Sequence, residues 1–156
     1  YSDWDKKIKG DYPYQVYNPH YLRRAHTVFE DTPVLREAWK NPVFISAHDA
    51  REKGIADGDT VLIYNRYGRV LRKASISERI MPGCIALPHG AWMDIDEKTA
   101  IDNAGSDNVL CAPVTTGCGV SGYNTNLVNI EKFNGPPLEE DAERPLQRIT
   151  FAKEGA

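Results

Sequence analysis

The segment that most restricts the fold of this chain is a pair of predicted β-strands joined by a tight turn. The sequence TVLIY at residues 60–64 is a short apolar run rich in β-branched residues, which favours a strand. The tetrapeptide NRYG at 65–68 has the composition of a hairpin turn, and residues 69–76 return as a strand whose side chains alternate between two faces. Antiparallel β-structure is therefore predicted at the centre of the chain.

Further short strands are predicted on both sides of this hairpin. They are VFI at 43–45, CIALP from Cys84, and TNLVNIEKF at 125–133. A Met-Pro-Gly turn at 81–83 introduces the second of them. Several short strands separated by turn signals predict a fold that is mainly β with short helices, a small β-barrel.

Two brief helices complete the predicted elements. The sequence SAHDAREKG at 46–54 has Ser46 as N-cap, Asp49 at the capping-box position and a glycine stop. The sequence LREAWK at 35–40 follows Thr32 and Pro33, which predict an N-cap and a first helical residue.

The chain divides into three predicted parts. Residues 1–40, punctuated by prolines, form an extended lead-in that carries the RRAHT segment at 23–27. Residues 41–133 form the β-barrel core, in which the polar stretch 93–108 is predicted to be a loop. Residues 134–156 form a proline-rich, acidic tail on the surface.

Composition narrows the possible partners. The chain has 19 basic and 22 acidic residues and no basic run, so no nucleic-acid partner is predicted. Its apolar runs are too short to cross a bilayer, which predicts no direct membrane insertion. Cys84, Cys111 and Cys118 lack CxxC spacing, which argues against a zinc or iron–sulfur site.

The chain carries no recognisable set of catalytic residues. No Ser/His/Asp or Cys/His arrangement is legible, and the aspartate pairs at 57/59 and 94/96 sit in turns where Asp makes local hydrogen bonds. The first residues, YSDWDKK, include neither an initiator methionine nor a signal-like apolar segment. We therefore expect the chain to be a piece of a longer polypeptide.

A glycine-rich match at 117–122 is a misleading motif. The sequence GCGVSG fits G-x-G-x-x-G, but that fingerprint binds dinucleotides only between a strand and a helix, where the helix N-terminus meets the pyrophosphate. Here the glycines precede a predicted strand. A flexible loop is the better interpretation.

Two other stretches are candidates for ligand binding. In LRRAHTVF, Arg24, His26 and Thr27 crowd hydrogen-bond donors outside any predicted helix; the alternative is a solvated basic turn with one satisfied histidine. In IALPHGAW, an apolar run ends in His89 and Gly90, and a glycine at a strand end often marks a close backbone approach to a ligand. The alternative there is a tight turn that packs one aromatic residue into the core.

Taken in order, these segments resemble a known family. RRAHT, then FISAHDAREKGIADGDTVLIYNRYGRV, RIMPGCIALPHGAW, DNVL and YNTNLVNIEKF are similar to the C-terminal molybdopterin-dinucleotide-binding domain of the dimethyl sulfoxide reductase family. The resemblance runs from about Tyr21 to Pro136, and the branch containing the anaerobic dimethyl sulfoxide reductase catalytic subunit is the most similar.

The resemblance implies a double-psi β-barrel that binds part of a bis(molybdopterin guanine dinucleotide) cofactor holding molybdenum or tungsten. It implies a cofactor face whose members match family motifs by position: Arg24, His26, Thr27, His89, Gly90, Trp92, Asn108 and Asn124. Threonine stands where the family's R-x-H-S-like segment has serine. No catalytic residue and no metal ligand is implied within this chain.

The same resemblance implies the setting of the domain. Upstream domains of a parent chain would carry the metal ligand, an iron–sulfur electron-transfer subunit would be a partner, and the location would be prokaryotic, periplasmic or membrane-associated. The implied parent is an S-oxide or N-oxide reductase. The chain alone is expected to be inactive and to hold no bound cofactor.

Two alternatives stay open at this point. One is a stand-alone double-psi barrel that serves as an interaction or folding module without a cofactor. The other is a self-contained enzyme on the same barrel, similar to aspartate decarboxylase, which depends on a self-cleaving Gly-Ser pair. The chain's one such pair, at 105–106, lies in the predicted polar loop.

Overall fold

The computed structural model describes residues 7, 9–113, 115, 117–120 and 126–145. In chain order its strands are β1 (Tyr14–Tyr17), β2 (Val43–Ser46), β3 (Thr60–Tyr64), β4 (Arg69–Ser77), β5 (Cys84–Ala86), β6 (Ile95–Asp96), β7 (Ile101–Asp102) and β8 (Leu127–Lys132). The helices described here are α1 (Pro33–Ala38), α2 (Ala47–Lys53) and a 3-10 turn at Asp107–Leu110.

Six strands close into a barrel. They neighbour one another in the order β2-β5-β1-β8-β3-β4, and β4 pairs back onto β2. The β1–β5 and β2–β4 contacts are parallel and the other four are antiparallel. This closed, mixed barrel is the double-psi β-barrel that the sequence predicted, and it leaves no open edge among its six strands.

The barrel interior is a dry aliphatic core. Fully buried side chains come from all six barrel strands: Val16, Val43, Ile45, Val61, Ile63, Val70, Ile85, Val128 and Ile130. β-branched residues suit this position because they pack well on a pleated surface at low cost in rotamer freedom.

The predicted N-cap hydrogen bond is present in helix α2 but absent in helix α1. The Oγ of Ser46 accepts a hydrogen bond of 3.0 Å from the backbone N–H of Asp49, and Gly54 ends α2 in the left-handed conformation at φ 65°. Pro33 occupies the first turn of α1 as predicted, but the side chain of Thr32 makes no capping hydrogen bond.

One barrel strand, β1, lies before residue 41, where the barrel core was predicted to begin. Strand β1 lies inside the 1–40 segment that was predicted as an extended lead-in, and it bridges β5 and β8. Its burial alternates, with Tyr14 and Val16 inside and their neighbours exposed. The YQVY sequence is short and follows a proline, so the sequence alone does not predict a strand there. Pairing with strands β5 and β8 defines it as one.

The predicted loop at 93–108 was wrong in part. It contains β6 and β7, which pair with each other, and β7 also pairs with β4 at Val70. The 3-10 turn at Asp107–Leu110 follows. Strands β6 and β7 are only two residues long. The carboxylate of Asp102 stabilises this segment, because it accepts hydrogen bonds from the backbone N–H groups of Asp94, Gly105 and Ser106.

The C-terminal segment is not a simple surface extension. Leu138, Asp141 and Arg144 are buried. The carboxylate of Asp141 pairs with Arg23 at 2.7 Å, Arg72 at 3.1 Å and Arg144 at 2.8 Å, and thereby joins the lead-in, the barrel and the C-terminal segment. The acidic residues of this segment were read as solvated; one of them instead balances buried arginines.

Two further observations complete the fold. The GCGVSG motif lies only partly within the described residues. Its residues 117–120 form a turn, and the next described element is strand β8. None of the helices in the described ranges has the length and apolar character that a membrane span requires.

Candidate functional site

The two candidate stretches meet at one end of the barrel. Beyond β5, the chain still runs beside the continuation of β1, because the N–H of Leu87 bonds the carbonyl of Tyr17 and that of His89 bonds the carbonyl of Pro19. This pairing delivers His89 to the segment that carries His26, which lies 63 residues earlier in the chain.

A chain of hydrogen bonds links three side chains there. The Nδ1 of His89 lies 3.1 Å from a carboxylate oxygen of Asp107, and its Nε2 lies 3.2 Å from the Nδ1 of His26. An ionised carboxylate only accepts, so Nδ1 of His89 carries the proton. In neutral His89, Nε2 then accepts from the Nδ1–H of His26, which leaves the Nε2 of His26 as an acceptor on the exposed side.

Gly90 holds the two loops together. Its φ is +93°, and a Cβ at this position would lie 1.9 Å from the carbonyl oxygen of His26. Its backbone N–H also donates to Asp107 at 3.3 Å. The predicted close backbone approach therefore exists, but it is made to the RRAHT loop.

Arg24 lies beneath this face and its side chain is 1 % exposed. Its guanidinium donates to Glu30 at 2.7 Å, to the amide oxygen of Asn41 at 2.8 Å and to the carbonyl of His89 at 3.2 Å. The resemblance places Arg24 on the cofactor face, but the structure buries its side chain. Its bonds instead tie the two candidate loops to the barrel, which makes it a positioning residue.

The other predicted members divide as follows. Trp92 is half-buried and its indole N–H donates to the carbonyl of Thr27 at 3.0 Å, while Thr27 itself is exposed. Asn108 is exposed on the 3-10 turn, directly after Asp107. Asn124 lies outside the described residues. The structure thus brings six predicted residues into contact around one face, with Asn108 adjacent to them through the chain.

Two residues of this face escaped the sequence analysis. The ring of His20 lies 4.7 Å from that of His26 and 5.8 Å from that of His89, so three of the chain's four histidines cluster. Asp107 orients His89 and binds Gly90, as described above. The proximity of His20 to RRAHT in the sequence was a usable signal; Asp107 looked like any polar loop residue.

The chemical capacity of this face is hydrogen bonding. Imidazole nitrogens, a hydroxyl, an indole and an amide lie on or near its surface. The thiol of Cys111, which donates to the carbonyl of Asp107 and accepts from the amide of Asn126, has its pKa raised by burial and is not an activated nucleophile. Fold and face together define a small closed β-barrel domain with a hydrogen-bonding face at one end.

Comparison with known proteins names the family. Residues 14–127 match the model of the molydopterin dinucleotide binding domain, and the chain belongs to this family. Dimethyl sulfoxide reductase DmsA of Escherichia coli strain K12 is 35% identical over 136 residues, which are 85% of this chain and 16% of that protein. Trimethylamine-N-oxide reductase 1 of the same organism is 37% identical over 133 residues, 80% of this chain and 16% of the relative.

The solved structures agree on the fold. The model superposes on acetylene hydratase from Pelobacter acetylenicus with a TM-score of 0.65 and 16% sequence identity, over 85% of this chain and 20% of that one. The chain therefore spans about a sixth of the length of the curated relatives it matches. The predicted family and the predicted double-psi barrel are both confirmed.

Proposed function

We propose that this domain binds a guanine dinucleotide form of molybdopterin, as part of a molybdenum or tungsten oxidoreductase that reduces S-oxides or N-oxides. Family membership and the names of the two reductase relatives support the proposal. The observation that carries it is the convergence of the RRAHT and PHGAW loops, fixed by the 3.2 Å contact between His26 and His89. A site for a large polar ligand needs many hydrogen bonds from distant parts of the chain, and this face is built in that way.

The donor set fits such a ligand. A dinucleotide presents phosphate oxygens, sugar hydroxyls and the edges of flat rings, which take hydrogen bonds and stacking contacts. His26, Thr27, His89, Trp92, Asn108 and Asn124 would supply those contacts. Arg24 and Gly90 would act through the loops that they hold. When bound, the cofactor supplies the metal-centred redox chemistry.

The proposed roles follow from each side chain's surroundings. With its Nδ1–H donated to His89, the Nε2 of His26 can accept a hydrogen bond from a hydroxyl or amino group of the ligand. The indole ring of Trp92 is oriented by its hydrogen bond to the carbonyl of Thr27 and offers its flat face for stacking. The amide of Asn108 can donate and accept at once, which suits the edge of a guanine or a pterin.

The remaining parts of the proposal concern the rest of the enzyme. We propose that other domains of a parent chain supply the metal ligand and the second half of the cofactor site. We also propose that an iron–sulfur subunit delivers electrons. The 156-residue chain by itself is expected to hold no cofactor after purification, because only part of the site is on it.

The experiment is a thermal-shift titration of the chain with molybdopterin guanine dinucleotide released from a purified reductase. A ligand that binds only the folded state raises Tm by mass action. We expect a saturable rise in Tm that the double variant Asn108→Ala/Asn124→Ala reduces and that His26→Ala also reduces.

The matched control is His48→Ala, which removes an exposed histidine from helix α2, outside the proposed site. It should titrate like the unaltered chain. A rise in Tm that the site variants leave unchanged would show that the cofactor binds elsewhere and would contradict the proposal.

A further inference from the structure

A second cleft opens beside the hairpin β6–β7. It has a volume of about 690 Å³ and lies between helix α1, the hairpin and the C-terminal segment. Leu71, Ile101, Phe133 and Leu138 form an apolar wall that belongs to a small hydrophobic cluster outside the barrel interior. The ring of Trp92 stands at one side of the cleft. A small molecule in this cleft would therefore contact mainly apolar side chains on that wall.

One cation in the wall of this cleft has no counter-ion among the described residues. Arg36 is 8 % exposed and lines the cleft. Within the described ranges its guanidinium makes one hydrogen bond, from Nη1 to the carbonyl of Arg144 at 3.2 Å. Its Nε is buried without any partner, and the Nε of Arg144, which also lines the cleft, is in the same condition.

The neighbourhood of Arg36 is rich in other arginines. The carboxylate of Asp141 is shared by Arg23, Arg72 and Arg144, and Glu30 is divided between two arginines. Burial lowers the pKa of Arg36 and repulsion from Arg144 and Arg23 lowers it further, while attraction from Glu30 and Asp141 offsets part of this decrease. No described carboxylate contacts the guanidinium of Arg36 directly, and burying a charge without a direct partner costs free energy, so an anion that reached Arg36 would be stabilised there.

The carboxylates that line the cleft do not fill this role. Glu30 is bound on both oxygens by arginines other than Arg36, and Asp94 pairs with Arg144. Asp96 accepts from its own turn. Asp31 and Glu139 also line the cleft but are exposed to solvent. None of these acids forms an ion pair with Arg36 within the described part of the chain.

We propose that this cleft binds a small organic carboxylate that carries an apolar or aromatic body. The carboxylate pairs with the guanidinium of Arg36, because charge-assisted hydrogen bonds between guanidinium and carboxylate are among the strongest that a side chain can make. The body packs on the wall formed by Leu71 and Leu138. The cleft shares Trp92 with the proposed cofactor face, but His26 and His89 do not line it, so the proposal goes beyond the cofactor function.

The test is an NMR titration of the 15N-labelled chain with phenylacetate, and in parallel with phenylacetamide, its neutral counterpart of nearly equal shape. We expect phenylacetate to shift the side-chain Nε–H signals of Arg36 and Arg144 in a saturable manner. Phenylacetamide should bind about tenfold more weakly or not at all, since a charge-assisted hydrogen bond is lost.

Two variants separate the proposed site from nonspecific binding. Arg36→Leu should abolish the phenylacetate-dependent shift of the Arg144 signal while its amide spectrum shows an intact fold. Arg66→Leu removes an exposed arginine from the β3–β4 turn and should leave binding unchanged. No saturable binding by the unaltered chain, equal binding of the amide, or full binding by Arg36→Leu would each overturn the proposal. All three outcomes are independent of molybdopterin binding.

Discussion

At the scale of single residues, Gly90 has the most demanding position in the proposed cofactor face. Its φ of +93° is unfavourable for any residue with a side chain, and the space for a Cβ is taken by the carbonyl of His26 at 1.9 Å. The obstacle is backbone rather than a flexible side chain, so it cannot move aside cheaply. This one position therefore couples the geometry of the two binding loops.

We expect Gly90→Ala to lower the free energy of unfolding by about 1–3 kcal/mol from backbone strain alone, with the clash adding to it. Urea denaturation followed by tryptophan fluorescence measures the change. Gly117→Ala is the control, because a Cβ there meets no atom within 4 Å, and it should stay within about 0.5 kcal/mol. Equal stability of the two variants would contradict the packing described here.

At the scale of elements, the two helices differ in how they begin. Ser46 caps α2 through its hydroxyl, whereas Thr32 precedes α1 without a capping bond. We expect Ser46→Ala to destabilise the protein by about 1 kcal/mol, since one backbone donor of α2 loses its partner. Thr32→Ala should cost much less. Thermal denaturation of the two variants measures both free energies of unfolding. A larger loss of stability in Thr32→Ala than in Ser46→Ala would contradict this prediction.

The C-terminal segment is held to the barrel by a pH-sensitive contact. Burial raises the pKa of Asp141, but Arg72, Arg144 and Arg23 outweigh it and bring the pKa from 3.8 to about 2. The folded state therefore binds this proton less readily than the unfolded state does. The resulting stability is fully present above about pH 4 and is lost as the pH falls towards 2, and it amounts to about 2 kcal/mol.

We expect Asp141→Asn to reduce stability at neutral pH and to flatten the loss of stability between about pH 4 and pH 2. Urea denaturation at a series of pH values measures both effects. Asp31→Asn, at an exposed position, should keep the pH dependence of the unaltered chain. An Asp141→Asn curve parallel to that of the unaltered chain would show that other carboxylates cause the acid sensitivity.

At the scale of the whole molecule, the structure is a binding domain and we expect no catalysis from the chain alone. In the described ranges, the group of His and acidic side chains close enough together to hold a metal is His48, Asp49 and Glu52, on helix α2. The carboxylate of Asp49 already accepts a hydrogen bond of 2.8 Å from the backbone N–H of Gly83. We expect no reduction of dimethyl sulfoxide or trimethylamine N-oxide by reduced viologen dye above a heat-treated sample. Turnover that tracks the purified chain would refute this.

Local patterns in the sequence determined much of the barrel. The hairpin β3–β4, the capped helix α2 and strands β2, β5 and β8 all depend on short-range preferences, and the structure has each of them close to the predicted bounds. Such preferences act between near neighbours in the chain and are therefore readable there. The family resemblance added the closure of the barrel and the list of candidate site residues.

The orientation of each site residue was decided by tertiary contacts. Arg24 and His26 are two residues apart in one motif, yet Arg24 is buried with its guanidinium on the carbonyl of His89, and His26 is exposed with its ring beside that of His89. Their positions depend on partners that lie far along the chain, which no local pattern specifies. The same reason explains His20 and Asp107, which join the face only because the barrel brings their segments together.

The sequence by itself therefore determined the elements, the family and the residue types of the ligand face. Only the tertiary structure decided which arginine is paired, which loop Gly90 approaches, and that Asp141 of the C-terminal segment is buried among Arg23, Arg72 and Arg144. The physical reason is that burial and charge balance are properties of assembled surfaces. Whether a charged side chain is solvated or paired depends on which segments of the folded chain pack against it. Its neighbours in the sequence do not determine this.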